Sequence, residues 1–135
     1  MLLDASLFRI AGGSQVPGRR QWKRQKAMSE RKAQDCSNMN EVRAEIDRID
    51  SALVDLIAQR FGFVDRAWKL KSNPGEAYVP WRIQQVIDKV RARAEERDLP
   101  PELAEALWRQ MIGWFVQYEE EKLRRQIEGN GGEGV

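Results

Sequence analysis

The chain is predicted to be all-α, a three-helix chain with one long N-terminal helix, and three observations predict it. Ala, Leu, Glu, Arg, Gln and Lys dominate the composition, while strand formers are sparse. Apolar residues recur at alternating four- and three-residue steps, which is the repeat of a helix face. Prolines and glycines cluster between those runs, where helices stop and start. A length of 135 residues fits one domain. Hydrophobic residues at 41% permit a core, and charged residues at 33% keep it thin.

Residues 1–36 read as a basic, disordered extension. They hold Gly12-Gly13, Pro17-Gly18 and the run Arg19-Arg20-Gln21-Trp22-Lys23-Arg24-Gln25-Lys26. Eight of the 23 Lys/Arg and three of the 21 acids fall within residues 1–35, leaving 15 basic and 18 acidic residues beyond. The pI of 8.8 therefore belongs to the tail. A solvated tail is the simplest account of it, ahead of contact with RNA or an anionic membrane. An over-long reading frame, starting in fact at Met28 or Met39, is a further reading. The fold is expected to bind no nucleic acid.

The helical domain is expected over 37–128. Its first helix opens near Ser37–Asn40, good capping residues followed by Glu41. The seam Val42, Ile46, Ile49, Leu53, Leu56, Phe63, Val64, Ala67 and Leu70 carries it to Lys71, with Gly62 as the weak point, before Asn73-Pro74-Gly75 stops it. Pro80 starts the second helix, which runs through Ile83, Val86, Ile87, Val90 and Ala94 to about Asp98. Pro100-Pro101 ends it and starts the third, which continues through Leu107, Met111, Phe115 and Tyr118 to about Glu128. Residues 129–135 read as a flexible Gly-rich tail. The first helix would be a rod of roughly 46 Å, longer than a compact domain of this size, whose radius of gyration is near 13 Å. Its apolar seam would project, and two chains lying together would cover both seams. A homodimer follows from that geometry.

Several function classes are excluded by composition. There is no histidine, and Cys36 is the only cysteine. Disulfide scaffolds, His/Cys zinc sites, Ser-His-Asp triads and Cys-His dyads are thereby removed. No apolar run approaches the length of a membrane span, and Leu2–Phe8 lacks the pattern of a secretory signal. A cytoplasmic protein with a free thiol, no metal and no cofactor is expected.

Charges interrupt the apolar stripes at three places. Arg60 occupies the seam between Leu56 and Phe63, and Lys71, eleven residues on, returns to nearly the same face about 16 Å away. Cations on an interior stripe are costly unless an anion meets them. Either residue alone would turn outward or pair with an acid on a neighbouring helix; together they favour an anion site. Arg43 lies 17 residues before Arg60, about 25 Å along the axis and about 100° round it. It can serve the same site only from a partner subunit; otherwise it is a first-turn residue paired with Asp47. Glu119 shares a face with Ile112, Phe115, Val116 and Leu123, so its carboxyl lies within an apolar stripe. A buried ion pair with Arg60 or Lys71 competes with a catalytic role for it. Arg82, in the first turn of the second helix, adds another cation.

This constellation resembles the all-helical chorismate mutase family. The stretch Glu41-Val42-Arg43-Ala44-Glu45-Ile46-Asp47-Arg48-Ile49-Asp50 is similar to the family's opening, and Arg60 and Lys71 match its Arg and Lys eleven apart. The likeness covers roughly 36–126. It implies an intertwined all-α homodimer with two equivalent sites for a small-molecule dicarboxylate. By the same resemblance Arg43 comes across the dimer to a substrate carboxylate, Arg60 holds the other carboxylate region, and Lys71 contacts a carboxylate and the ether oxygen. Arg82 matches the second-helix arginine of the related isochorismate pyruvate lyase branch. Glu119 falls where bacterial members usually carry Gln and some fungal ones Glu. Ile83 stands where typical bacterial mutases have an acid and the lyase branch an apolar residue, whereas Glu119 departs from that branch. The resemblance thus implies chorismate mutase activity, with lyase or dual activity as the alternative. A dimeric helical regulatory module is the non-enzymatic alternative, which would be expected to lose Arg43, Arg60 or Lys71.

Overall fold

The computed structural model describes residues 31–131. Most of the basic extension and the last four residues lie outside them. Three helices account for nearly all of the described residues: α1 (Met39–Lys69), α2 (Pro80–Glu96) and α3 (Pro101–Gly131). Single 3-10 turns precede α1 (Ala33–Asp35) and α2 (Pro74–Ala77). The predicted order and boundaries hold to within two or three residues. α1 passes through Gly62 without a break. α3 continues past Glu128 to Gly131, so part of the expected Gly-rich tail is helical; each added residue needs only one more backbone bond on an existing helix.

The chain divides into two units, 1–54 and 55–135, with α1 contributing to both. In the first unit the start of α1 is fixed by side chains. The Asn38 Oδ1 accepts from the Glu41 N–H at 3.0 Å, and the Glu41 carboxylate reaches back to accept from the Ser37 N–H at 2.8 Å. One donor that a helix start leaves without a partner, Glu41 N–H, and the Ser37 N–H just before the cap are thereby satisfied. Along this part of α1, Ile46, Ile49 and Leu53 are each about half exposed.

In the second unit the core sits on α2, α3 and the turn before α2. Ile87 and Leu123 are fully buried, and Ala77, Ala94, Ala104, Ile112 and Phe115 complete the buried apolar set among the described residues. No residue of α1 is buried. The core is as thin as the composition implies. Arg91 on α2 ties to α3 by donating to the Glu105 carboxylate at 2.9 Å, which Arg109 also engages.

α2 ends in a Schellman arrangement. Leu99 N–H donates to the Ala94 carbonyl at 2.9 Å and Asp98 N–H to that of Glu95 at 3.3 Å. Asp98 must then adopt a left-handed φ of 55°, a conformation that disfavours any residue bearing a Cβ. Asp98→Gly is therefore expected to stabilise the fold by about 0.5–1 kcal/mol. The rise in Tm, several degrees for a domain of this size, is readable by circular dichroism; Asp98→Ala should show none.

Candidate active site

A cavity of about 330 Å³ opens in the second unit, of the size that small ligands occupy. Its cationic and acidic lining consists of Arg60, Lys71, Arg82 and Glu119. The apolar wall comes from Val64, Ala67, Ile83, Val86, Ile112 and Val116, among others. Three fixed cations against one carboxylate give the cavity a formal charge of +2.

Each polar group arrives there for a local reason. Arg60, Val64, Ala67 and Lys71 recur along one face of α1 and its last turn, so the face that carries Arg60 also delivers Lys71. That turn tightens, with Leu70 and Lys71 donating to the carbonyls of Ala67 and Trp68, each at 3.1 Å. The Glu76 carboxylate then clamps the connection, accepting from Ser72 N–H at 2.9 Å and Asn73 Nδ2 at 3.0 Å. The clamp turns the chain so that Ala77 and Val79 join the wall. Pro80 begins α2 at once, placing Arg82 and Ile83 in its first turn. Arg82 is exposed on one side, where its Nη1 donates to Gln85.

Lys71 Nζ donates to Glu119 Oε2 at 2.5 Å. The Glu119 side chain is only 8% exposed and that of Lys71 25%. The predicted buried pair thus forms, with Lys71 as its cation, and it forms within the cavity. Arg60 is held differently. Its guanidinium carbon lies 5.3 Å from the centroid of the Phe115 ring, a cation–π contact. Its Nη1 is buried with no hydrogen-bond partner. Burial, and secondarily the charge of Arg82, lower its pKa, but a guanidinium remains protonated in proteins. A buried cationic donor without an acceptor is costly, and because Arg60 lines the cavity an anion there would meet its guanidinium.

Arg43 is not among the residues lining this cavity. It is exposed on the first-unit part of α1, and among the described residues it makes no ion pair, with Asp47 or otherwise. No group of His, Cys, Asp or Glu suited to a metal ion occurs among the described residues. No helix there is long and apolar enough to cross a membrane.

Beside the cavity lies a cluster that sequence reasoning missed. Asp65 Oδ1 accepts from both Tyr118 Oη at 2.8 Å and Trp68 Nε1 at 2.9 Å, while Oδ2 accepts from Lys69 Nζ at 2.8 Å. These donors, Lys69 foremost, hold the Asp65 carboxyl far below the usual carboxylate range. The same bond pushes the Tyr118 hydroxyl up, so it stays a donor. The four-residue step from Asp65 to Lys69 was readable in the sequence; the link to Tyr118, 53 residues away, was not.

Comparison with known proteins identifies the family. A family profile described as chorismate mutase type II matches residues 42–120, more than half the chain and a span that includes Arg43, Arg60, Lys71, Arg82 and Glu119. The isochorismate pyruvate lyase of Pseudomonas aeruginosa is 30% identical over 96 residues, covering 71% of this chain and 94% of that protein. A T-protein from Enterobacter agglomerans is 34% identical over 77 residues, covering 56% of this chain and 21% of that much longer protein. On the extent of the profile match and of the first relative, the chain belongs to the chorismate mutase type II family.

Proposed function

We propose that the protein is a chorismate mutase, converting chorismate to prephenate within the cavity bounded by Arg60, Lys71, Arg82 and Glu119. The observation that carries this reading is the cavity's charge: three cations and one carboxylate, +2 in all, set in apolar walls. A dicarboxylate brings the matching charge. The rearrangement is pericyclic. The ether C–O bond breaks as a C–C bond forms within one cycle of electrons, so no nucleophile or proton carrier is required. What accelerates it is holding the dianion in its compact conformer and stabilising negative charge on the ether oxygen. Arg60, with its unpartnered Nη1, takes a carboxylate. Lys71 has three donors; it keeps one on Glu119 and offers others to the ether oxygen and a carboxylate. Arg82 adds a cation at the mouth.

A homodimer belongs to this reading. Ile46, Ile49, Leu53 and Leu56 are 47–60% exposed in the single chain, an apolar seam that a second copy would cover. Arg43 then serves the partner's cavity, closing over the second carboxylate.

Glu119 orients Lys71 within the cavity through their ion pair. Glu119→Ala, which removes the acceptor, is therefore expected to lower kcat on chorismate, and an unchanged kcat would remove this role.

The lyase reading has its own support. Ile83 lines the cavity, leaving no acid there for a substrate hydroxyl, and the Pseudomonas aeruginosa relative matches over 94% of its length. Incubating purified protein with chorismate and, separately, with isochorismate decides between the two. Loss of chorismate without release of pyruvate is expected. Salicylate and pyruvate from isochorismate, with no prephenate from chorismate, would replace the mutase reading by the lyase one. Turnover of neither would leave the helical interaction module.

A further inference from the structure

The Asp65 cluster lies on the flank of the cavity. The cavity needs α1 and α3 in one particular register, because Arg60 and Lys71 come from α1 and its end while Phe115 and Glu119 come from α3. A slip of one helical turn is about 5.4 Å, enough to part Lys71 from Glu119 altogether. The lining side chains do little to prevent it. Lys71 is a flexible chain with a point charge, and the aliphatic wall carries no directional bond.

The flank supplies what the cavity lacks. Phe61 stacks on Phe115, with centroids 5.7 Å apart, and meets the Tyr118 ring edge-on at 5.1 Å. Trp114 stacks on Tyr118 at 5.7 Å. These contacts bury area but are tolerant of sliding. The Tyr118 hydroxyl donating to Asp65 is directional, and it joins α3 to α1 one residue before Glu119. Trp68 Nε1 converges on the same Oδ1 and fixes the carboxylate's rotamer. A contiguous path of contacts thus runs from Asp65 through Tyr118 and Phe61 to Phe115, and so to the guanidinium of Arg60.

We infer that Asp65 is a positioning residue: by accepting from Tyr118 it sets the register of α3 on α1 and so holds Lys71 against Glu119 and Arg60 over Phe115. It touches no substrate. Its effect on turnover rests on the reading of the cavity as the active site, but its effect on the unliganded cavity does not.

The test uses both levels. In the full chain, labelled with ¹⁵N-lysine, the Lys71 ammonium is identified by its loss in Lys71→Ala. Asp65→Ala and Tyr118→Phe are each expected to move that signal toward the position of an unpaired lysine. Each should also lower kcat on chorismate about tenfold or more, as small misplacements do. Asp65→Asn is expected to restore the signal and most of kcat, because its Oδ1 still accepts from Tyr118 and Trp68. Lys69→Ala, which removes only the Oδ2 partner, should change neither. Should Asp65→Ala fail to fold, Tyr118→Phe decides alone. A Lys71 signal unmoved in Tyr118→Phe, or loss of Tm alone in Asp65→Ala, would overturn the inference. Absence of turnover in the unaltered protein would sink the functional reading and leave the spectroscopic arm to decide the positional one.

Discussion

Lys71→Ala is expected to lower kcat/KM for chorismate by about a thousandfold or more, corresponding to about 4 kcal/mol of lost transition-state stabilisation. Lys71 is the one cation in the cavity that is both flexible enough to reach a breaking bond and held by a buried carboxylate on the facing helix. On the proposed mutase reading, removing it deletes a charge-assisted donor where negative charge develops, in a cavity walled by Ile83, Val86, Ile112 and Val116. The same substitution leaves Glu119, only 8% exposed, without its partner, so some stability is lost too, about 1–3 kcal/mol. The two effects separate in the double variant. Lys71→Ala with Glu119→Gln should regain Tm and remain inactive, with helicity unchanged by circular dichroism. A double variant that regains activity along with Tm would show that Lys71 acts through folding alone.

Mixing two inactive variants is expected to restore activity. On the proposed dimer reading, the cavity of Arg43→Ala lacks the arginine delivered from the other subunit, and that of Lys71→Ala lacks its own lysine. A hybrid dimer holds one cavity with both groups intact and one with neither. Equal mixing with free subunit exchange makes about half the dimers hybrid, and so yields about one quarter of the unaltered activity. The exposed seam of Ile46, Ile49, Leu53 and Leu56 motivates this, as does the position of Arg43, exposed and outside the cavity lining. Each variant alone should stay low, by at least about a hundredfold for Arg43→Ala, as loss of a charge-assisted contact implies. Activity that never exceeds the sum of the two variants after unfolding and refolding together would place Arg43 outside the site.

Much of this was legible in the sequence because helices write their faces at a fixed period. Arg60 and Lys71, eleven residues apart, had to share a face of one helix, and Glu119 had to share one with Ile112 and Phe115; the cavity brings these faces together. Helix starts were legible because Asn38, Pro80 and Pro101 satisfy local requirements that no distant residue alters. The end of α3 was less so, since Gly129 and Gly131 weaken a helix without terminating one. Contacts between helices were out of reach. Nothing in spacing tells that Lys71 rather than Arg60 would take Glu119, that Phe115 would carry the Arg60 guanidinium, or that Tyr118 would find Asp65. Those depend on the register of α3 against α1, which contacts between residues far apart in the sequence set.

A crystal of the protein soaked with prephenate is expected to hold the dianion in the cavity, with one carboxylate on the Arg60 guanidinium and Lys71 Nζ shared between ligand and Glu119. Prephenate bound elsewhere, with Arg60 still unpartnered and the Lys71–Glu119 pair undisturbed, would contradict this reading of the cavity.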